Sequence, residues 1–477
     1  MALSYSLLAP KVLQFGGGNF LRAFLGWMVQ HLNETEEFAG SIVLVKPTPG
    51  RDYTSLRQNA GQYHVLLNGI QGGEAKQSIY PINCISQIIQ PYQQWDDFLQ
   101  SARHVSMRYV VSNTTEAGIV FEGEAHYREA VPNSFPGKLT AWLYERYRHF
   151  AQSPASGCIL LPCELLPDNG SLLRRTILQY ASHWGLEADF VSWVNLHNHF
   201  CDTLVDRIVS GYDAKVAEDI SDQLAFPDPN LVVGEHYHSW VIKSEASIRD
   251  QLPFLASGLN NSWTDDLQLY RQRKVRILNG AHMTIVPLGH MLGLKTVKEA
   301  MDHPALSNFL EALLSEEVIP SIDLDEEQLQ AYKEDILDRF RNPFLEHRLL
   351  DIALNSISKF AARLLPTLVD RYQQTGQIPH KILRVWLAVI LFYRGTYQGA
   401  EIPLRDEEAN LRFFADLWQK SQAFREAEIL QHALQCPAWQ HDQLPPSEQL
   451  LAEMLPLWQQ WDQEGLLSLI STPQTSN

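Results

Sequence analysis

The chain has 477 residues, 45% of them hydrophobic, with 55 acidic against 38 basic side chains and a net charge of −17. That length holds two or three domains, and the apolar content can bury a large core, so a disordered chain is excluded. The acidic balance speaks against non-specific nucleic-acid binding and against docking on an anionic membrane, though a local basic pocket can still take a small anion.

The N-terminus, MALSYSLLAPKVLQFGGG, has no basic region ahead of an apolar one, so no signal peptide is expected. KVLQF (11–15), SIVLV (41–45), RYVV (108–111) and CILL (158–161) are near-continuous apolar runs suited to parallel strands buried on both faces. Helical patterns at 19–32 and 139–150 lie between them, which predicts an α/β sheet. VSWVNLHNHFCDTLVDRI (191–208) reads as a helix, and the proline-rich FPDPN (226–230) as a loop near a domain join.

Strand-like runs become scarce after about residue 245. Leu306, Phe309, Leu310, Leu313 and Leu314 follow helical spacing, and similar patterns recur at 349–365, 382–393 and 450–467. The domains are therefore placed at 1–255 and 256–477, α/β first and mostly α-helical second. The longest dense apolar run, VWLAVILFY (385–393), is far short of the ~20 residues that span a bilayer. The terminal STPQTSN is expected to fray. Cys84, Cys158, Cys163, Cys201 and Cys436 are few, odd in number and dispersed, so a cytoplasmic protein without a disulfide framework is expected. HNHFC and EHYH hold His197, His199, Cys201, Glu235, His236 and His238. In a helical segment positions i and i+2 diverge, so no metal site is expected.

QFGGGNFLRAF (14–24) follows the first strand and opens the first helix. Gly16 allows a tight turn, and Gly18 lets the backbone approach a pyrophosphate seated on the helix N-terminus. The third glycine of the fingerprint would fall at Leu21, so the motif is incomplete. The second strand ends in VKPTPGRD. Lys46 stands where an acid would hold ribose hydroxyls, with Arg51 and Asp52 further on, which leaves NAD and NADP both open. Arg22, just past the turn, suits a phosphate contact or a domain-bridging ion pair.

KVRILNGAH (274–282) places Lys274, Asn279 and His282 on an otherwise apolar helical segment. In ideal helix geometry Asn279 and His282 are neighbours and Lys274 falls within the same broad arc. An amine, an amide and an imidazole converging on one point form the set that alcohol–ketone hydride transfer needs. One group exchanges the hydroxyl proton, one stabilises charge on oxygen and one holds the substrate. The same trio also suits a solvated helix edge with one satisfied core amide.

KVRILNGAH resembles the Lys-Asn-His signature of the polyol-specific long-chain dehydrogenases, the mannitol dehydrogenase family. GGGNFLRAF, SNTTEAGI (112–119), PCELLPDNG (162–170), TLVDRIV (203–209), RFRNPFLEH (339–347) and FYRG (392–395) extend that resemblance along nearly the whole chain. Within the family, QFGGGNFLRAF, SNTTEAGI, PCEL and ILNGAH are closest to the tagaturonate reductase (altronate oxidoreductase) subgroup.

The resemblance implies an N-terminal Rossmann-type dinucleotide-binding domain, a helical C-terminal domain, an active site between them, and no metal. It implies NAD bound by Phe15, Gly16, Gly17, Gly18, Asn19, Phe20, Lys46, Asn113 and Thr114. It implies Lys274 as general acid/base, Asn279 as polariser of the carbonyl oxygen, His282 as positioning group and Asp206 at the substrate. One departure is Leu165, which stands where mannitol-type members carry an oxyanion-holding Asn. A uronate also carries a carboxylate, and Lys359 and Arg363 rank ahead of Arg348 and Arg394 as its partners. The activity so implied is reduction of tagaturonate to altronate, with a small sugar acid as the only partner. No nucleic acid, membrane or obligate protein partner is inferred. The same chemistry on fructuronate, mannitol or a sugar phosphate is one alternative. A non-catalytic nucleotide-binding sensor is another.

Overall fold

A computed structural model describes residues 5–35, 38–50, 53–71, 73–114 and 117–471. Arg51, Asp52, Thr115, Glu116, the first four residues and the tail after Ser471 lie outside them. Internal contacts divide the chain into two compact units, Met1–Gly69 with Lys76–Leu267 and Ile70–Ala75 with Gln268–Asn477.

The first unit is built on six parallel strands: β1 (Pro10–Phe15), β2 (Ser41–Val45), β3 (Ile85–Ile89), β4 (Tyr109–Ser112), β5 (Ile159–Pro162) and β6 (His199–Phe200). Their spatial order is β3-β2-β1-β4-β5-β6, the doubly wound order in which a dinucleotide binds where the sequence of strands reverses. That point lies between β1 and β4. Phe15 stands opposite both Val45 and Ser112, so three strand ends finish level and the loops after them gather at one edge. Alternate residues feed opposite faces, as the two-residue strand period requires. Val12 and Leu44 join Phe24, Met28 and Trp240 on one side, whereas Leu13 and Val43 join Leu139, Trp142 and Tyr180 on the other.

Two smaller sheets complete this unit. One orders Val209–Gly211, Val232–Glu235, Tyr63–Gln71 and Glu74–Ile82. The other orders Asn261–Thr264, Ser239–Lys243 and Asp202–Asp206. Three sequence expectations change here. The helix ending in HNHFC stops at His197, because Asn198 turns the chain by accepting from Cys158 N–H at 2.9 Å and donating to Trp193 O. DTLVD is then a strand paired with Ser239–Lys243, its β-branched Thr203 and Val205 buried. FPDPN is an internal loop of the first unit, since buried Asp228 faces His64 Nδ1 at 3.0 Å. The parallel pairing of Asn261–Thr264 with Ser239–Lys243 also carries the first unit on to Leu267, beyond residue 255.

His238 is buried in this unit. Its Nε2 accepts from Asn260 N–H at 2.9 Å, and desolvation, followed by the charge of Arg207, pulls its pKa down to about 3. The folded imidazole is therefore neutral. Below the unfolded value of ~6.5 only the unfolded chain takes up the proton, so stability is lost as pH falls from there towards about 3. His238→Gln should reduce the loss between pH 7 and pH 4.5 by about 2–3 kcal/mol. Urea unfolding at both pH values checks this, and an unchanged difference would refute it.

The second unit is helical, with Pro304–Leu313, Glu326–Phe340, Ser356–Arg363, Leu365–Thr375, His380–Phe392, Glu408–Lys420 and Ser447–Glu464 as its main helices. The run at 349–365 is two helices, because Asn355 adopts a left-handed φ of 56° between them. Among the described residues no helix is long and apolar enough to cross a membrane, all five cysteines are buried and free, and no group of three or more metal-capable side chains occurs.

Candidate active site

Gly16 continues β1 with φ +100°, and its N–H donates to Val45 O at 2.9 Å. A Cβ there would sit 3.3 Å from Asn113 O, so strand β4 closes on the turn only because residue 16 is glycine. Gly18 and Asn19 are exposed, and a Cβ on Gly18 would meet nothing within 4 Å. The helix over 19–34 begins there without a side-chain cap, and an uncapped helix N-terminus at a glycine turn suits a pyrophosphate. These residues fit a dinucleotide. Gly16→Ala should cost about 1–3 kcal/mol and weaken NADH binding, which thermal unfolding and a fluorescence titration would show. Equal stability with unchanged affinity would contradict this.

The neighbours of the turn are held by hydrogen bonds. Asn113 Nδ2 donates to Cys163 O at 2.8 Å. Buried Glu164 accepts from Thr114 N–H at 2.9 Å and from the hydroxyls of Thr114 and Ser112 at 3.0 Å. Burial raises the Glu164 pKa against the opposing pull of those donors. Glu164 thus positions the loop after β4, whereas Leu165 beside it is exposed and offers no donor. Phe20 stacks on Phe24, and Asn19 Oδ1 accepts from Arg22 at 2.8 Å. Arg22 also donates to Gly17 O and Asn230 O, both in the first unit, so it braces the turn.

Lys46 follows β2 but is buried, and its amine donates to Thr48 O in its own turn. Asp206 ends the strand Asp202–Asp206, half-buried, in the first unit.

In the second unit, Lys274, Asn279 and His282 stand on one continuous helical run over 267–291, but not an ideal α-helix. Lys274–Asn279 is a π-helical turn between α-helical Leu267–Arg273 and Gly280–Met291, and Gly280 N–H reaches back to Val275 O. This corrects the sequence geometry. In a regular α-helix five residues turn ~500°, leaving Lys274 ~140° from Asn279. A π turn closes i to i+5 and brings the two onto one side. Asn279 is half-buried, and its side-chain amide has no hydrogen-bond partner among the described residues. Its backbone oxygen lies 3.4 Å from Arg363 Nη1.

His282 stacks on Phe340 with centroids 4.4 Å apart and meets His347 edge-on at 5.1 Å. Its Nε2 is sealed from solvent without a partner among the described residues. Burial, and then the fields of His347, Arg363, Arg339 and Lys359, hold its pKa well below the ordinary value, so the ring is neutral. Lys359 and Arg363 are one helical turn apart on Ser356–Arg363. Burial lowers both; Arg363 falls to about 10. Lys359 donates to Ile352 O at 2.7 Å, and Arg363 has no acidic partner among the described residues. Arg348 instead pairs with Glu346 at the surface, and exposed Arg394 lies over Trp418.

The described side chains therefore gather into two groups: the glycine turn with Asn113 and Thr114 in one unit, and Lys274, Asn279, His282, Lys359 and Arg363 in the other. Sequence reasoning did not single out Arg339, Phe340 and His347 around His282. RFRNPFLEH was visible as a motif, but nothing in its spacing pointed at the imidazole.

The family model for the mannitol dehydrogenase Rossmann domain matches residues 10–254, and that for the mannitol dehydrogenase C-terminal domain matches residues 266–461. The chain belongs to the mannitol dehydrogenase family. It is 41% identical over 414 residues to the altronate oxidoreductase of Bacillus subtilis (strain 168), covering 87% of this chain and 85% of that protein. It is 36% identical over 460 residues to the altronate oxidoreductase of Enterobacter sp. (strain 638), covering 96% and 91%. Among solved structures, D-sorbitol dehydrogenase in substrate-free form superposes with a TM-score of 0.80 at 20% identity, covering 98% of this chain and 96% of that one. The mannitol 2-dehydrogenase of Pseudomonas fluorescens, in a ternary complex with NAD and D-mannitol, gives 0.63 at 21%, covering 98% and 95%. At such identities these two structures speak to the fold. As a member of the mannitol dehydrogenase family the chain is an oxidoreductase acting on a CH–OH group, with a Rossmann domain suited to a nicotinamide cofactor.

Proposed function

We propose that this chain catalyses the NAD-linked reduction of tagaturonate to altronate, and the reverse oxidation. The observation that carries the reading is the π turn joining Lys274 to Asn279, with Arg363, a cation without an acidic partner among the described residues, against the same turn. Relatives named altronate oxidoreductase at 41% identity support the substrate. NAD rather than NADP is supported by Lys46, whose amine is spent on Thr48 O instead of being displayed to a 2′-phosphate.

A nicotinamide dinucleotide, held by the Gly16–Gly18 turn with Asn113 and Thr114, would supply the hydride that reduces the ketone carbon. Lys274 gives the proton to the ketone oxygen, and in the reverse direction takes it from the hydroxyl. Asn279 donates from its uncommitted amide to that oxygen as negative charge grows there. His282, held neutral, can donate to or accept from one substrate hydroxyl through the ring nitrogen that is not sealed. Arg363 and Lys359 bind the carboxylate, the guanidinium offering paired donors. Asp206 is assigned to substrate binding on the family resemblance of TLVDRIV alone.

Altronate with NAD should generate NADH absorbance, while mannitol with NAD, or altronate with NADP, should generate little. Turnover of mannitol alone would keep the family chemistry and discard the substrate.

A further inference from the structure

Tyr53 precedes the short helix Thr54–Gln58 that follows β2, and the hydroxyl end of its ring lies against the glycine turn. A Cβ on Gly17 would fall 2.8 Å from Tyr53 Cζ. The phenol oxygen accepts from Gly17 N–H at 2.7 Å. That amide belongs to the set a glycine turn ordinarily aims at a pyrophosphate. Here a side chain has taken it up, and the phenol's own proton has no acceptor among the described residues. The hydroxyl is half-buried, so its proton can be donated to a molecule seated on the turn.

The surroundings hold the ring in this position. Ser55 Oγ donates to Asn230 Oδ1 at 2.8 Å, and Arg22 donates both to Asn230 O and to Gly17 O, so the turn, the helix after Tyr53 and the loop at 228–230 are tied together. We propose that Tyr53 is a cofactor-binding residue: its hydroxyl extends the Gly17 amide by one hydrogen bond and donates to a phosphate oxygen of the dinucleotide. Accepting from Gly17 polarises the O–H and strengthens it as a donor. Burial raises the Tyr53 pKa, so the phenol keeps this proton at neutral pH. The inference rests on the turn being a dinucleotide site and does not depend on which sugar is reduced.

Tyr53→Phe keeps the ring on Gly17 and removes only the hydroxyl. The dissociation constant of ADP-ribose and the KM for NADH should rise about ten- to hundredfold, the range for a hydrogen bond to a charged group. The dissociation constant of adenosine, which lacks phosphate, should stay the same, as should kcat at saturating NADH and the KM for tagaturonate. Unchanged ADP-ribose binding would overturn the assignment. So would equal weakening of ADP-ribose and adenosine together with a lower Tm, which marks a structural role. ADP-ribose binding is read without turnover, so a failure of the tagaturonate assignment would be seen separately.

Discussion

Lys274→Ala should lower kcat for tagaturonate reduction by about 10²–10⁴-fold, the usual contribution of a positioned acid/base. The dissociation constant for NADH should stay within about twofold, because the dinucleotide elements belong to the first unit and Lys274 to the second. Lys274→Arg should be nearly as slow. It keeps the charge but exchanges no proton near neutral pH. Added small primary amines should restore part of the rate to the alanine variant and none to the arginine variant. Wild-type kcat in Lys274→Ala, with the substrate saturating, would remove the acid/base assignment. The π turn also makes the position exacting. Leu278→Pro would break the turn, so it is no substitute for the side-chain test.

Arg363→Ala should raise the KM for tagaturonate about ten- to hundredfold, the loss expected when a charge-assisted hydrogen bond to a carboxylate is removed. It should leave the poor kcat/KM for fructose almost unchanged, since fructose has no carboxylate to bind. The preference for the sugar acid therefore collapses while the chemistry survives. Arg363 suits this role because burial pulls its pKa down to about 10, with no acidic partner among the described residues to compensate. A bound carboxylate would supply that compensation. If Lys359 serves the same anion, the double variant with Lys359→Ala should lose less than the product of the two single losses. An unchanged ratio of tagaturonate to fructose kcat/KM in Arg363→Ala would move the carboxylate elsewhere.

Much of the first unit could be read from local chemistry. Runs such as SIVLV, apolar at nearly every position, have few options beyond a strand covered on both faces, and QFGGGN marks the turn after β1. The strand Glu74–Ile82 left no such trace. It is exposed along much of its length, so EAKQS carries no apolar pattern. DTLVD was misread for a related reason. The helix gives way at Asn198 to β6 and then to Asp202–Asp206 with no change in hydrophobicity, and the latter is a strand only through its partner at 239–243.

In the second unit the residues of KVRILNGAH were legible, but their geometry was not. A π turn is one extra residue in a helix, accommodated by packing around it, and no residue in the segment announces it. Phe340 and His347 meet His282 from about 60 positions away, through tertiary packing that sequence spacing does not encode. The weak dinucleotide motif is explained by the same local structure. Leu21, where a third glycine would fall, is buried in the core beneath the turn.

The proposed reaction is reduction of a sugar-acid ketone through Lys274 with NADH. The most direct measurement is the loss of NADH absorbance by the purified protein in separate reactions with tagaturonate, fructuronate and fructose, repeated with NADPH. NADH should be oxidised rapidly with tagaturonate and much more slowly with the other two, and NADPH should be oxidised little. Rapid reduction of fructose with none of tagaturonate would contradict it, because a site built around Arg363 and Lys359 should favour the ketose that carries a carboxylate.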